Sequence, residues 1–196
     1  MDTFPADPKK IRAKISSYKR KLQKEKEEFG FISDGYGKRF LIGTLYLLSG
    51  DLPGALEYYQ WYEKEFPDCS GEPLHDLSWA LALFLSGDRP QARKHLIDAL
   101  FLNLHIASLV LQTSDPYPDF YHGGCSGLYY IEGDLYTDAV ERLWNEKAVE
   151  WFKSIYFEKR VQDGIKQFIE YWEAWERREK VDHDGMKSLL TGLKFE

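Results

Sequence analysis

The sequence predicts an all-α fold, in which antiparallel helical hairpins form a short superhelix with extra helices before and after it. Apolar residues recur at helical spacing near the start of the chain, in its middle and again after residue 145. A turn sequence also occurs twice, as Leu-Ser-Gly-Asp-Leu-Pro at residues 48–53 and Leu-Ser-Gly-Asp-Arg-Pro at residues 85–90. In each copy the Gly-Asp pair is expected to turn the chain between two helices. All 196 residues are expected to form one domain.

Residues 8–28 are predicted to form a basic amphipathic helix. Asp7 can cap its first free N–H groups, and Pro8 is suited to the first helical position. One narrow apolar stripe runs along it, formed by Ile11, Ile15, Tyr18 and Leu22. The rest is basic, and the candidate contacts for phosphate or an acidic partner are Lys10, Lys14 and Lys21. The alternative interpretation is a solvated face whose charge offsets an acidic remainder.

Residues 36–104 are predicted to form two helical hairpins. In the first, Gly43 and Ala55 are small where two helix backbones must approach closely, and Tyr46 and Tyr59 fill the space between them. The second copy lies 37 positions further on. Its corresponding residues are Ala80, Leu83, Ala92 and Leu96. Pro67 is expected to stop the second helix of the first hairpin, whereas the second copy has no such Pro.

This spacing resembles the tetratricopeptide repeat, whose period is about 34 residues. The residues that carry the resemblance are Ile42, Gly43, Tyr46, Ala55, Tyr59 and Pro67. The resemblance implies a concave groove, lined by the first helix of each hairpin, where a peptide binds. By alignment, the expected partner-binding residues are Phe40, Thr44, Leu77, Leu81 and Phe84. Members that clamp a terminal carboxylate use Lys, Arg and Asn in the groove, and none of these types is present at the aligned positions.

The groove positions are nearly all apolar, and an exposed apolar patch of this size requires a cover. Two covers are considered. One is a protein or peptide partner, and the other is the chain itself, through its N-terminal helix or its C-terminal helices.

The remainder of the chain is predicted in three parts. Residues 105–112 are expected to form a helix that caps the repeats, residues 113–144 an irregular segment rich in aromatic residues and Gly, and residues 145–196 a set of C-terminal helices. The irregular segment contains His122 and Cys125, and one functional hypothesis is a hydrolase-like activity at these residues. It would require a base and an orienting group beside the thiol.

Composition narrows the function further. The net charge is −6, no apolar run approaches the roughly 20 residues that span a membrane, and two cysteines give neither a disulfide framework nor a metal-binding spacing. Motifs for a serine nucleophile, a zinc site or a dinucleotide are absent in recognisable form. The expectation is a cytoplasmic protein that is not an enzyme, uses no cofactor or metal and does not bind membranes.

The function predicted from the sequence is a protein–protein interaction module or adaptor. The alternative is a nucleic-acid-associated accessory protein that uses the basic N-terminal helix. The high aromatic content, 16% of residues, is also compatible with a homodimer, since aromatic side chains concentrate at interfaces.

Overall fold

The computed structural model describes residues 3–119 and 123–195. Eleven helices and no strand occur within these residues, so the all-α prediction is confirmed. The helices are α1 (Pro8–Phe29), α2 (Lys38–Leu48), α3 (Leu52–Glu65), α4 (Pro73–Ser86), α5 (Arg89–Leu102), α6 (Ile106–Leu111), α7 (Leu128–Ile131), α8 (Asp134–Leu143), α9 (Glu146–Tyr156), α10 (Lys159–Glu176) and α11 (His183–Lys194).

The repeated turn sequence joins α2 to α3 and α4 to α5, as predicted. Gly50 and Gly87 adopt left-handed conformations with φ of 77° and 93°, which a residue without a Cβ adopts at little cost. The next residue caps the following helix. The Asp51 carboxylate accepts a hydrogen bond from the Gly54 N–H at 2.9 Å, and Asp88 accepts one from the Gln91 N–H at 3.2 Å.

The two hairpins pack against each other around α4. Helix α4 contacts α2, α3 and α5, and every residue from 73 to 82 is buried. Between α2 and α3, the ring of Tyr59 lies where a side chain on Gly43 would otherwise be. The corresponding residues of the second hairpin, Ala80 and Leu96, are fully buried. The predicted close approach is therefore confirmed at Gly43 and Tyr59.

Helix α1 packs against α2 through its narrow apolar stripe. Ile11, Ile15 and Leu22 are buried, while most of the basic side chains stay exposed. The Asp7 carboxylate accepts a hydrogen bond from the Lys9 N–H at 2.8 Å, which confirms the predicted cap.

The segment after α5 differs from its prediction. Helix α6 forms within the expected residues, but it lies between α5 and the α8 and α9 helices and so is not an outer cap.

Residues 113–144 are not irregular throughout, because α7 and α8 form within them. Helix α8 buries Tyr136, Ala139 and Val140, which recur at helical spacing. The Phe4 N–H donates to the Asp138 carboxylate at 3.1 Å, so the N-terminal segment also docks on α8.

The C-terminal helices form as predicted, and two of them pack closely at Gly164. Helix α10 continues through this residue. A Cβ at Gly164 would lie 2.6 Å from the Leu193 Cδ1 of α11, so the glycine permits close packing of these two helices. Helix α11 also packs on α5.

Candidate functional site

The residues predicted to line a concave groove are largely buried inside the protein. Thr44 and Leu77 have no exposed surface, and Leu81 is 1% exposed. The Thr44 hydroxyl donates a hydrogen bond to the Ser78 hydroxyl at 2.8 Å, so it faces the neighbouring helix α4 rather than solvent. As accessible partner contacts, these three residues were wrongly predicted.

The remaining two predicted groove residues are partly buried by the chain's own aromatic side chains. The ring of Phe84 stacks on Trp151 of α9 with centroids 4.5 Å apart. The ring of Phe40 contacts Tyr62 and His75, at 6.2 and 5.7 Å. Because α9 reaches α4 at Phe84 and α8 packs on α2, the C-terminal half supplies much of the cover that the apolar residues require.

A cavity lies elsewhere, between α1 and α3, and we call it the α1–α3 groove. Both helices pack against α2, which supplies Tyr46 to the groove floor. Its volume is about 530 Å³, within the range of ligand-binding clefts. The lining residues are Lys19, Arg20, Leu22, Gln23, Lys24, Glu27, Tyr46, Gly54, Glu57, Tyr58 and Trp61.

A continuous row of aromatic rings forms the floor of the α1–α3 groove. The centroids of Tyr46 and Tyr58 are 6.4 Å apart, and those of Tyr58 and Trp61 are 5.3 Å apart. The Tyr58 hydroxyl donates to the Arg39 carbonyl at 2.7 Å, so the polar end of this side chain is already satisfied within the protein. Trp61 is 36% exposed at the edge of the row. The floor therefore offers mainly an apolar aromatic surface.

The absence of a side chain at Gly54 leaves room for the Tyr46 ring in this floor. A Cβ at Gly54 would lie 2.8 Å from the Tyr46 ring and 2.6 Å from the Asp51 carboxylate that caps α3. A larger residue would displace one of these two side chains.

Charged side chains form the two walls of the groove. The α1 wall carries the exposed cations Lys19, Arg20 and Lys24 and one exposed carboxylate, Glu27. The α3 wall carries Glu57. The Lys19 ammonium lies 5.9 Å from the centroid of Tyr46 and donates to its hydroxyl at 3.5 Å. The α1 wall thus carries a net positive charge, whereas the α3 wall carries a negative charge.

An ion pair links α1 to α3 beside the groove. The Lys26 ammonium lies 2.6 Å from the Glu65 carboxylate. This contact holds the two helices together near their carboxyl ends.

The predicted basic contacts do not line this groove. Lys10, Lys14 and Lys21 share one flank of α1 by helical spacing, and none of them borders the cavity. Lys10 and Lys21 are exposed, and Lys14 is partly buried, with its ammonium 5.7 Å from the Tyr18 ring. Basic residues of the same helix, Lys19, Arg20 and Lys24, lie in the groove instead. Both groups of basic residues can be recognised in the sequence, but the sequence does not indicate which flank of α1 faces α3.

A further cavity, of about 320 Å³, is bordered by Asp76 and His95, two members of a cluster of buried titratable residues. The Asp76 carboxylate on α4 lies 3.3 Å from Nδ1 of His95 on α5. The His95 ring stacks on Trp79 with centroids 3.8 Å apart. Glu72 caps α4 by accepting a hydrogen bond from the His75 N–H at 2.8 Å, and it also accepts one from the Tyr136 hydroxyl of α8. These contacts join three helices, as a buried polar network does.

Burial disfavours the charged form of each side chain in this cluster. It raises the pKa of Glu72 to about 7 and holds that of Asp76 well above its ordinary value. It also lowers the pKa of His75 to about 3 and that of His95 to about 4. The two histidines are therefore neutral at physiological pH.

The loop proposed as a hydrolase site is described only in part. His122 lies outside the described residues. Burial raises the pKa of the Cys125 thiol to about 11, so the thiolate that nucleophilic catalysis requires is scarce at neutral pH. The Asn103 amide donates to the carbonyls of Cys125 and Gly127, at 2.8 and 3.1 Å, and these two hydrogen bonds attach the loop to the residue that follows α5.

Two further classes of site are absent from the described residues. No group of three or more His, Cys, Asp or Glu side chains is arranged to hold a metal ion in residues 3–119 and 123–195. Within the same ranges, no helix combines the length and the apolar character needed to cross a membrane.

No family model, no curated protein and no solved structure matches this chain. The protein is all-helical in its described residues, and its α1–α3 groove has an aromatic floor and two walls of different charge. The function must therefore be inferred from that groove.

Proposed function

We propose that this protein is a non-enzymatic, tetratricopeptide-like interaction module of the cytoplasm, and that it binds a segment of a partner protein in the α1–α3 groove. The observation that carries this proposal is the row of Tyr46, Tyr58 and Trp61 along the floor of this groove. Aromatic side chains dominate the binding energy of many protein interfaces. This location replaces the concave face that the sequence suggested, since that face is largely covered.

The shape of the groove also favours a protein segment as its occupant. It lies between two helices, as grooves that accept peptides commonly do. Its floor is fixed by packing and by the hydrogen bond from Tyr58 to Arg39. A fixed floor reduces the conformational entropy that is lost on binding.

Nucleic acid is the second candidate partner, and one observation favours it. From residue 8 to residue 24, α1 contains eight Lys or Arg residues and no Asp or Glu. Lys10 and Lys21 are exposed on the flank that faces away from the groove lining. A phosphate backbone on this flank would bind with a strong dependence on salt, because binding would release counterions.

Affinity co-purification with Trp61→Ala and Trp175→Ala proteins tests the groove. The two variants are matched, because Trp175 on α10 is also exposed, at 43%, but lies outside the groove. A partner protein should survive nuclease and raised salt, and Trp61→Ala should weaken its binding by about 30-fold, the effect of a typical interface hot spot. Trp175→Ala should leave the affinity unchanged.

Three other results would contradict the proposal. Equal loss of the partner with both Trp variants would place the binding surface outside the groove. Nucleic acid that salt releases, and that Lys10→Glu with Lys21→Glu abolishes, would establish the second candidate. A concentration-dependent dimer that Trp61→Ala dissociates in analytical ultracentrifugation would make a second copy the occupant.

A further inference from the structure

Resting on the proposed function, we infer that the α1–α3 groove recognises an acidic partner segment that carries an aromatic or large aliphatic anchor residue. The anchor lies on the aromatic floor, and the acidic residues face the α1 wall. Three features of the groove support this assignment: the sign of its walls, the chemistry of its floor, and the position of its carboxylates.

The α1 wall provides local positive charge on a protein whose net charge is −6. Lys19, Arg20 and Lys24 are exposed along this wall, within the stretch of α1 that has no acidic residue. At physiological ionic strength the Debye length is about 8 Å, so charges in the groove outweigh the more distant acidic surface. The local field therefore attracts carboxylates despite the acidic net charge.

The floor selects for an apolar anchor. Tyr58 is 3% exposed and its hydroxyl donates to the Arg39 carbonyl, so it supports the floor without offering a polar group to a ligand. The accessible surface comes mainly from the partly exposed rings of Tyr46 and Trp61. Trp61 continues the same surface toward solvent. Aromatic and large aliphatic side chains bury the greatest apolar area on such a floor, and an aromatic pair adds about 0.5 to 1.5 kcal/mol beyond that burial.

The carboxylates of the groove disfavour a nucleic acid there. Glu57 lies on the α3 wall, opposite the cations, and Glu27 lies on α1, on the same wall as the cations, where the net charge remains positive. A phosphate backbone carries charge on every unit and would bring phosphates near these carboxylates. A peptide can place its acidic residues toward α1 and uncharged or basic residues toward Glu57. The asymmetric walls therefore fit a peptide better, and they give it an orientation.

Selection from a random peptide library on the full-length protein tests the inference. The library is selected in parallel on the unmodified protein, on Trp61→Glu and on the double variant Lys19→Glu with Lys24→Glu. The matched control is Lys10→Glu with Lys21→Glu, which makes the same change in net charge outside the groove. Circular dichroism and thermal melting confirm that every variant is folded before selection.

The expected peptides are rich in Asp and Glu around one aromatic or large aliphatic residue, and Trp61→Glu abolishes their enrichment. Lys19→Glu with Lys24→Glu weakens these peptides by about tenfold in direct titration, since each reversed charge at close range costs up to about 1 kcal/mol. The control variant binds them within about twofold of the unmodified protein. Raised salt weakens binding modestly.

The outcomes separate this inference from the proposed function. Peptides that depend on Trp61 but show no acidic preference, or that bind the Lys19 and Lys24 double variant equally well, would overturn the inference and leave the proposed function in place. Enrichment that does not depend on Trp61, or no enrichment above an uncoated surface, would overturn both. Equal weakening by the two double variants would reduce the effect to general charge attraction and overturn the inference.

Discussion

Gly43 and Tyr59 form a contact in which one residue's missing side chain makes room for the other's ring. A Cβ on Gly43 would overlap the Tyr59 ring, which is 1% exposed and stacks on Trp79 with centroids 4.9 Å apart. Neither the ring nor the helix backbone can move away easily, because protein interiors are closely packed.

Replacement of Gly43 by alanine should therefore destabilise the protein. Gly43→Ala is expected to lower the free energy of unfolding by about 1 to 3 kcal/mol, the usual cost of overpacking, although alanine is the better helix former. Urea denaturation followed by circular dichroism measures this difference.

The second hairpin supplies the control for that measurement. It has Ala80 and Leu96 at the corresponding positions, and both are fully buried. The double variant Gly43→Ala with Tyr59→Leu should therefore lose less stability than the sum of the two single variants. Strict additivity would show that the two side chains are not coupled in this way.

Sequence patterns predict this contact but not the groove. The spacing of a small residue and an aromatic residue identifies Gly43 and Tyr59, because helical geometry fixes which positions on two paired helices meet. Lys19, Tyr46 and Trp61 lie on three different helices, and only tertiary packing brings them together. No local pattern in the sequence records which flank of α1 faces α3.

At the scale of a single element, α4 begins with a buried acidic cap. Glu72 is 6% exposed, and its carboxyl group accepts hydrogen bonds from the His75 N–H and the Tyr136 hydroxyl. Burial nevertheless raises its pKa from 4.5 to about 7. The folded state therefore binds a proton at this site more tightly than the unfolded state does.

The stability difference between Glu72→Gln and the unmodified protein should depend on pH. Because folding raises the pKa of Glu72, protonation of this carboxyl group stabilises the folded state. The stabilisation is fully present below about pH 4.5 and is lost as pH rises through about 7. Glutamine has no such proton to lose. Relative to the unmodified protein, Glu72→Gln should therefore gain up to about 3 kcal/mol between pH 4.5 and pH 8.

Comparison of the two proteins at each pH removes the contribution of the buried histidines. Burial lowers the pKa of His75 to about 3 and that of His95 to about 4, so their effect is opposite in sign and destabilises the fold as pH falls below about 6.5. Both proteins contain these residues. A difference that stays constant from pH 4.5 to pH 8 would show that the Glu72 carboxyl titrates normally.

Helix α8 shows where prediction of single elements fails. The buried stripe of α8, formed by Tyr136, Ala139 and Val140, has helical spacing, but it spans fewer than two turns and follows a segment rich in Gly and Pro. Isolated helices this short are marginal in water. Much of the stability of α8 must come from α2, α6 and the Phe4 segment, which pack on it and are far away in sequence.

At the scale of the whole molecule, Arg93 connects the C-terminal helices to the second hairpin. Its guanidinium donates to both Glu158 carboxylate oxygens, at 2.6 and 2.7 Å, and to the Leu193 carbonyl at 3.1 Å. One partly buried side chain thus joins α5 to the N-cap of α10 and to α11. The ion pair of Asp98 with Lys194 and the ring contact of Phe101 with Phe168 add to this connection. The helical pattern of the sequence predicts α10 and α11 but gives no indication of this connection.

Loss of this side chain should loosen α10 and α11. Arg93→Ala is expected to lower the free energy of unfolding by about 1 to 2 kcal/mol and to speed proteolysis after residue 158, because a bidentate charged contact is removed. Limited proteolysis with mass spectrometry locates the new cleavage sites. Arg177→Ala is the control, since its ion pairs with Glu173 and Glu179 are solvent-exposed and should have little effect. Identical cleavage of both variants would contradict the role of Arg93.

The docking of Phe4 on Asp138 affects the order in which the protein can be completed during synthesis. Residues 3–5 are made more than 130 residues before the helix that receives them. At about 5 to 20 residues per second, the N-terminal segment waits roughly 7 to 27 seconds for α8. During that interval the apolar faces of α2 and α4 lack the cover that α8 and α9 later supply. The nascent chain is therefore most exposed to misassociation, and most suited to chaperone binding, just before its C-terminal half emerges.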